Sequence, residues 1–179
     1  LVRWHHPQFG QVFPDEFIPL AERTSMIGEL TVFVLNEALE EAARWHRDGH
    51  DWSVSVNVAM RNLLDDDFVG IVSRALTVSG FPPHKLTLEI TETSVMSDTA
   101  RTVEVLRRLA ALGVRLSVDD FGTGYSSLSY LQQLPVEEIK IDQLFVREMA
   151  DDPGAEAIVR SVLDLARNLG LRVVAEGVE

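Results

Sequence analysis

Four short segments of this chain alternate with period two, and helical patterns fill the intervals between them. In 53–58, Ser53, Ser55 and Asn57 oppose Val54, Val56 and Val58, and in 86–91, Thr87, Glu89 and Thr91 oppose Leu86, Leu88 and Ile90. Further on, Ser117 and Asp119 oppose Leu116 and Val118, while Glu138, Lys140 and Asp142 oppose Ile139 and Ile141. Successive side chains of a strand point to opposite faces, so each segment presents one apolar and one polar surface. A parallel sheet covered by helices on both sides needs near-continuous apolar runs instead. One apolar face under helices and one polar face suit a β/α barrel with a ligand-bearing interior. The pattern therefore predicts an α/β fold of the TIM-barrel type rather than an open doubly wound sheet.

Strands are predicted over 53–58, 86–91, 114–118, 138–141 and 171–175, and helices over 27–48, 68–79, 99–112, 126–134 and 155–169. Gly49, Gly80, Gly113 and Gly170 each stand just past a helical pattern, where a left-handed cap is wanted. Repeated units of this kind imply parallel strands with helical crossovers. A chain of 179 residues holds one sizeable core, so a single domain over 1–179 is expected. A complete barrel usually takes about 200 to 250 residues, so this one is expected to be incomplete, without its first and last strands.

Composition removes several classes of function. Cysteine is absent, which excludes disulfides and thiolate metal sites. A net charge of -12 repels a duplex nucleic acid, and any phosphorylated ligand needs a cation to approach. No stretch approaches the ~18 uninterrupted apolar residues of a membrane helix, so a cytoplasmic segment without membrane contact is expected, whatever anchors the full protein. The five histidines are scattered without metal-ligand spacing.

Each predicted strand ends in a polar functional group: Asn57, Glu89, Asp119 with Asp120, Lys140 with Asp142, and Glu176. The C-terminal rim of parallel strands is where β/α barrels build active sites. Taken singly, these residues suit bland roles; Asn57 could cap a loop and Glu176 could face a helix dipole. As a set at one end of the sheet they point to chemistry. Glu89, Asp119 and Asp120 supply hard anionic oxygens and Asn57 an amide oxygen, a donor set for Mg²⁺ or Mn²⁺. Adjacent aspartates repel unless a cation lies between them or one is protonated. Two metal ions about 3.5–4 Å apart are a recurrent device for phosphodiester hydrolysis. Lys140 would orient the water or offset transition-state charge, and Glu176 is the candidate general base. After Asp120 the run FGTGYSSL reads as a glycine-containing loop beside the ligands.

The ordered motifs FIPLAE, SVNVA, LEIT, VDDFGTGYSSL, IKID and AEGVE cover the chain, and together they resemble the EAL-domain family of cyclic-di-GMP phosphodiesterases. The opening LVRWHHP looks like the continuation of that family's signature Glu-Ala-Leu, with Leu1 as its leucine. The resemblance implies a modified β/α barrel and metal-dependent hydrolysis of cyclic-di-GMP to linear pGpG. It implies that Asn57, Glu89, Asp119 and Asp120 line a site for two Mg²⁺ or Mn²⁺ ions, with Asp119 as the bridge, Lys140 near the water and Asp142 in support. Glu176 would be the base, Glu179 would assist it, and Arg3 would contact a substrate phosphate. Glu92 would anchor a dimer-linked regulatory loop containing Phe121, Gly122, Thr123, Gly124, Tyr125 and Ser126. A homodimer and fused sensory or GGDEF domains follow by the same resemblance. The signature glutamate and a late glutamine fall outside these 179 residues, so catalysis by this segment alone is not expected. The rival reading is a non-catalytic cyclic-di-GMP receptor or protein-interaction module.

Overall fold

Regular structure begins with an antiparallel hairpin, β1 (Trp4–His6) and β2 (Gly10–Val12), that the alternation of the sequence did not mark. The computed structural model describes residues 2–96, 99–123 and 131–178, so the expected loop residues Gly124, Tyr125 and Ser126 and the expected Glu179 lie outside the described residues. After the hairpin come α1 (Pro14–Arg23) and α2 (Ile27–Arg47), then β3 (Val54–Asn57), α3 (Met60–Leu63) and α4 (Phe68–Ser79). A single 3₁₀ turn, Pro83–Lys85, leads into β4 (Leu86–Thr91), followed by α5 (Glu92–Met96), α6 (Thr99–Ala111) and β5 (Arg115–Phe121). The chain then runs through β6 (Glu138–Ile141), α7 (Gln143–Glu148), α8 (Pro153–Leu169) and β7 (Arg172–Ala175).

The long helices form because their apolar residues recur on one face. In α2 the buried positions are Thr31, Leu35, Leu39, Ala42 and Ala43, spaced by three and four. Glu29 in its first turn and Arg44, His46 and Arg47 in its last complement the helix dipole. In α8, Ala155, Val159, Val162 and Ala166 repeat the spacing. Its start is fixed by Asp152, whose Oδ1 accepts from the Gly154 amide at 2.8 Å, and its end by Gly170 at φ 70. Pro153 and Gly154 thus open this helix, ahead of the predicted start at 155.

Strands β3 to β7 are all parallel and lie in chain order, β3-β4-β5-β6-β7. A doubly wound sheet reverses its strand order at a switch point; this one does not. With right-handed crossovers, strands added always in one direction put every helix on the same face. The core cluster bears this out, joining Val56, Leu88, Ile90, Leu116, Val118, Ile139 and Ile141 to residues of α2, α4, α6 and α8. Leu88, Ile90 and Ile139 are fully buried there, each stabilising the fold by about 1.5–3 kcal/mol. The sheet is therefore an arc of a β/α barrel, with its polar face inward.

Candidate functional site

The in-register ladder brings the strand ends level. Asn57 pairs with Glu89 across β3 and β4, and Thr91 with Asp119 across β4 and β5. Glu176, just past β7, donates its backbone N–H to the Ile141 carbonyl at 3.2 Å, which fixes it beside the end of β6.

The ladder between β5 and β6 is irregular at the two aspartates. Val118 pairs with Ile139, but the next pairing is Phe121 with Ile141, so β5 holds one residue more than its partner. Asp120 absorbs the excess with a φ of 55, a left-handed conformation that Asp tolerates better than most side chains. Regular alternation would send the two aspartates to opposite faces. The bulge lets both approach one point, and the Asp120 amide donates to Asp119 Oδ1 at 3.1 Å.

Lys140 stands at the centre. Its Nζ lies 3.2 Å from Glu89 Oε2, 3.0 Å from Asp119 Oδ1 and 2.6 Å from Glu176 Oε1. Glu89 and Asp119 are 9% and 8% exposed, so these pairs sit in a poorly solvated environment where charges interact strongly. Burial alone would lower the pKa of Lys140. Its hydrogen bonds to Glu176 and Asp119, with the charges of Asp119 and Glu89, outweigh that and raise it above the ordinary lysine range. The ammonium is locked in its charged form.

Asp120 experiences the opposite pressure. Burial, then the charges of Asp119 and Asp142, hydrogen bonding with Asp142 and the charge of Glu176 push its carboxyl up to about 6. One ammonium thus faces three carboxylates, and the carboxyl of Asp120 beside them ionises only with difficulty. Ligand oxygens of Asp119, Asp120 and Glu176 come within 4.8 Å of one another. Hard oxygen donors with more negative charge than the resident lysine offsets fit a divalent cation such as Mg²⁺ or Mn²⁺.

Asp142 does double service, since its Oδ1 also accepts from the Leu144 amide at 2.7 Å and caps α7. Glu92, 2% exposed, accepts from the Gly122 amide at 2.9 Å and ties the start of α5 to the turn after β5. Thr123 closes that turn by donating its hydroxyl to the Asp120 carbonyl at 2.9 Å. Phe121 is buried with Ile141 on the apolar side. The structure thus brings together Glu89, Asp119, Asp120, Lys140, Asp142 and Glu176 among the residues the sequence suggested. Asn57 is exposed at the adjoining strand end. Arg3 is exposed beside the hairpin, where its guanidinium donates to the Val2 carbonyl at 3.1 Å. An open groove of about 760 Å³ elsewhere, lined by Gly28, Arg61, Asn62 and Asp65 among others, contains none of these residues.

One residue that sequence reasoning passed over adjoins the site: Gly177 has a φ of 70, and a Cβ there would lie 2.8 Å from Gln143 Cβ. Gly122, expected in the loop after the aspartates, has a φ of 104, and a Cβ there would lie 3.1 Å from the Phe145 ring. The apolar run LFV directly after the capping Asp142 is the signal that could have revealed α7 as a neighbour of the site.

Comparison with known proteins gives a consistent result. The family model of the EAL domain matches residues 1–179. The bifunctional diguanylate cyclase/cyclic di-GMP phosphodiesterase MucR of Pseudomonas aeruginosa is 44% identical over 180 residues; the match covers 100% of this chain and 26% of MucR. The solved structure of PaMucR phosphodiesterase in a c-di-GMP complex superposes with a TM-score of 0.95 at 44% identity, over 100% of this chain and 73% of that one. A manganese/cy-diGMP complex of Klebsiella pneumoniae BlrP1 aligns with a TM-score of 0.79 at 31% identity, over 93% of this chain and 42% of that one.

Proposed function

The chain belongs to the EAL domain family, and on that premise we propose that the protein containing it hydrolyses cyclic-di-GMP to linear pGpG, with Mg²⁺ or Mn²⁺ bound, as part of bacterial second-messenger signalling. The observation that carries this reading is Lys140 within 3.2 Å of Glu89, Asp119 and Glu176 at the C-terminal edge of parallel strands, with Asp120 alongside. The chain spans about a quarter of the length of MucR, so the activity is assigned to the full-length protein.

Asn57, Glu89, Asp119 and Asp120 would hold the metal. Bound there, it would supply Lewis acidity and lower the pKa of water. Lys140 offsets charge developing on the attacked phosphate and keeps Glu176 in place. Glu176, with Glu179 assisting, accepts a proton from the attacking water. The water oxygen bonds to phosphorus as one P–O3′ bond opens, and the departing ribose oxygen takes up a proton. The product is a linear dinucleotide with a 5′-phosphate. Arg3 would meet a substrate phosphate, easing the approach of an anion to an acidic surface. Asp142 supports the site through Asp120. Glu92 would hold the loop of Phe121, Gly122, Thr123, Gly124, Tyr125 and Ser126 through the Gly122 amide, and a homodimer would act through that loop. A fused GGDEF domain is proposed by analogy with the cyclase half of MucR.

The test is turnover of cyclic-di-GMP by the full-length protein with Mg²⁺ or Mn²⁺ and with chelator, the product identified by chromatography. Metal-dependent pGpG is expected, with Glu89→Ala or Asp119→Ala lowering the rate at least about 100-fold by removing a ligand. A near-normal rate in either variant would overturn the site assignment. Tight binding without turnover would make the protein a receptor.

A further inference from the structure

Helix α7 is only six residues long and none of its side chains is fully buried, yet two sharp turns close against it from different sides. It leaves the end of β6, the strand lying between β5 and β7. Gln143 and Arg147, four residues apart and so on one face, meet Gly177: a Cβ on that glycine would lie 2.8 Å from Gln143 Cβ and 3.3 Å from Arg147 Nε. Phe145, two residues on from Gln143 and about 200° round the helix, meets Gly122, whose Cβ position is 3.1 Å from Phe145 Cε2. Ile158 of α8 backs the same contact at 3.5 Å. Gly122 follows the two aspartates and Gly177 follows Glu176. The helix is fixed at its start by Asp142, which also bonds to Asp120.

From this geometry we infer that α7 is a wedge that sets the distance between the Asp119–Asp120 pair and Glu176, with Phe145 as a positioning residue for the site. Lys140 draws the carboxylates together from within the arc, and α7 stops their turns from outside. At both turns, side chains of the helix already crowd the space that a Cβ would take. Both contacts are made at glycines in left-handed conformations, where any larger residue would push the helix away. Truncating Phe145 removes the stop on one side and frees the turn that carries both aspartates.

The inference rests on the reading of the carboxylate cluster as a metal site, and the experiment separates the two. In the full-length protein, Phe145→Leu, Phe145→Ala and the control Leu144→Ala (51% exposed on the same helix) are compared with the parent. Three measurements are made: Mn²⁺ affinity by titration calorimetry, amide exchange at Gly122 in metal-free protein, and steady-state kinetics (kcat and KM) with cyclic-di-GMP. Displacements near 1 Å at a site cost up to about 100-fold. On that scale Mn²⁺ affinity and kcat are expected to fall about 3-fold in Phe145→Leu and at least about 10-fold in Phe145→Ala, with KM within about 2-fold of the parent. Exchange of the Gly122 amide, held by Glu92, is expected to quicken in the same order, while Leu144→Ala leaves all three unchanged. Unaltered Mn²⁺ affinity and Gly122 exchange in Phe145→Ala would overturn the inference. Should that variant fail to fold, the same result in Phe145→Leu overturns it. A parent that binds Mn²⁺ without turnover would sink the phosphodiesterase reading and leave the wedge to be judged on affinity and exchange.

Discussion

Asp120 combines a left-handed backbone with a carboxyl that titrates near 6. That value lies above the ~3.9 of an unfolded aspartate, so the folded state prefers the protonated form. The resulting destabilisation is absent below about pH 4, grows as the pH rises to about 6, and is constant above that. Asp120→Asn keeps the shape, favours the same backbone region and removes the charge. In chelator, its melting temperature is expected to exceed that of the parent by a margin that widens from pH 4 to pH 6 and then levels off. A margin flat across that range would show that Asp120 is not the strained group. The sequence made Asp119 legible, because it shares a face with Ser117. The convergence of Asp120 was not legible from alternation, since a one-residue bulge leaves no periodic trace. Adjacency and the DDFGTG run singled it out instead.

Elements with a strong period and a defined cap could be read almost to the residue. Predicted helix 68–79 is α4 itself, and predicted strands 86–91 and 138–141 are β4 and β6. Helix α8 begins two residues before its predicted start because Asp152 and Pro153 act as cap and first turn. Asp152→Ala removes the acceptor of the Gly154 amide and is expected to cost about 1 kcal/mol in urea unfolding, with the m-value unchanged. Other elements escaped for physical reasons. Helix α1 carries Pro19 in its interior, a residue that argues against a helix, and is held at its start by Glu16 Oε2 accepting the Phe13 amide at 3.1 Å. Hairpin β1–β2 buries none of its residues fully and so has no apolar alternation to detect. Helices α3, α5 and α7 run four to six residues, too short for a 3.6-residue period to register.

For the molecule as a whole, the arrangement of strands followed from sequence more readily than the arrangement of charge. One-sided polarity in four segments was enough to choose an arc of a barrel, because that choice depends on faces rather than on contacts. Which carboxylates meet depends on register, and register appears only when the strands are paired. Asp120, crowded by Asp119, Asp142 and Glu176, holds the metal-free protein below its full stability at neutral pH. A ligand at 100 times its Kd adds about 2.7 kcal/mol, so saturating Mn²⁺ is expected to raise the melting temperature of the full-length protein by several degrees. Asp119→Ala is expected to abolish that gain; an equal gain in the variant would locate the ion elsewhere. The bulge in β5 has a wider consequence. Removing one aspartate would let Phe121 follow Val118 in regular pairing with Ile139 and Ile141, keep the apolar face intact and relieve a left-handed residue worth about 1–2 kcal/mol. The fold would gain from losing a residue to which the proposed metal site assigns a ligand role. Under drift toward stability alone, that residue is an early casualty, and a lineage that shed it would keep its shape while losing a proposed metal ligand.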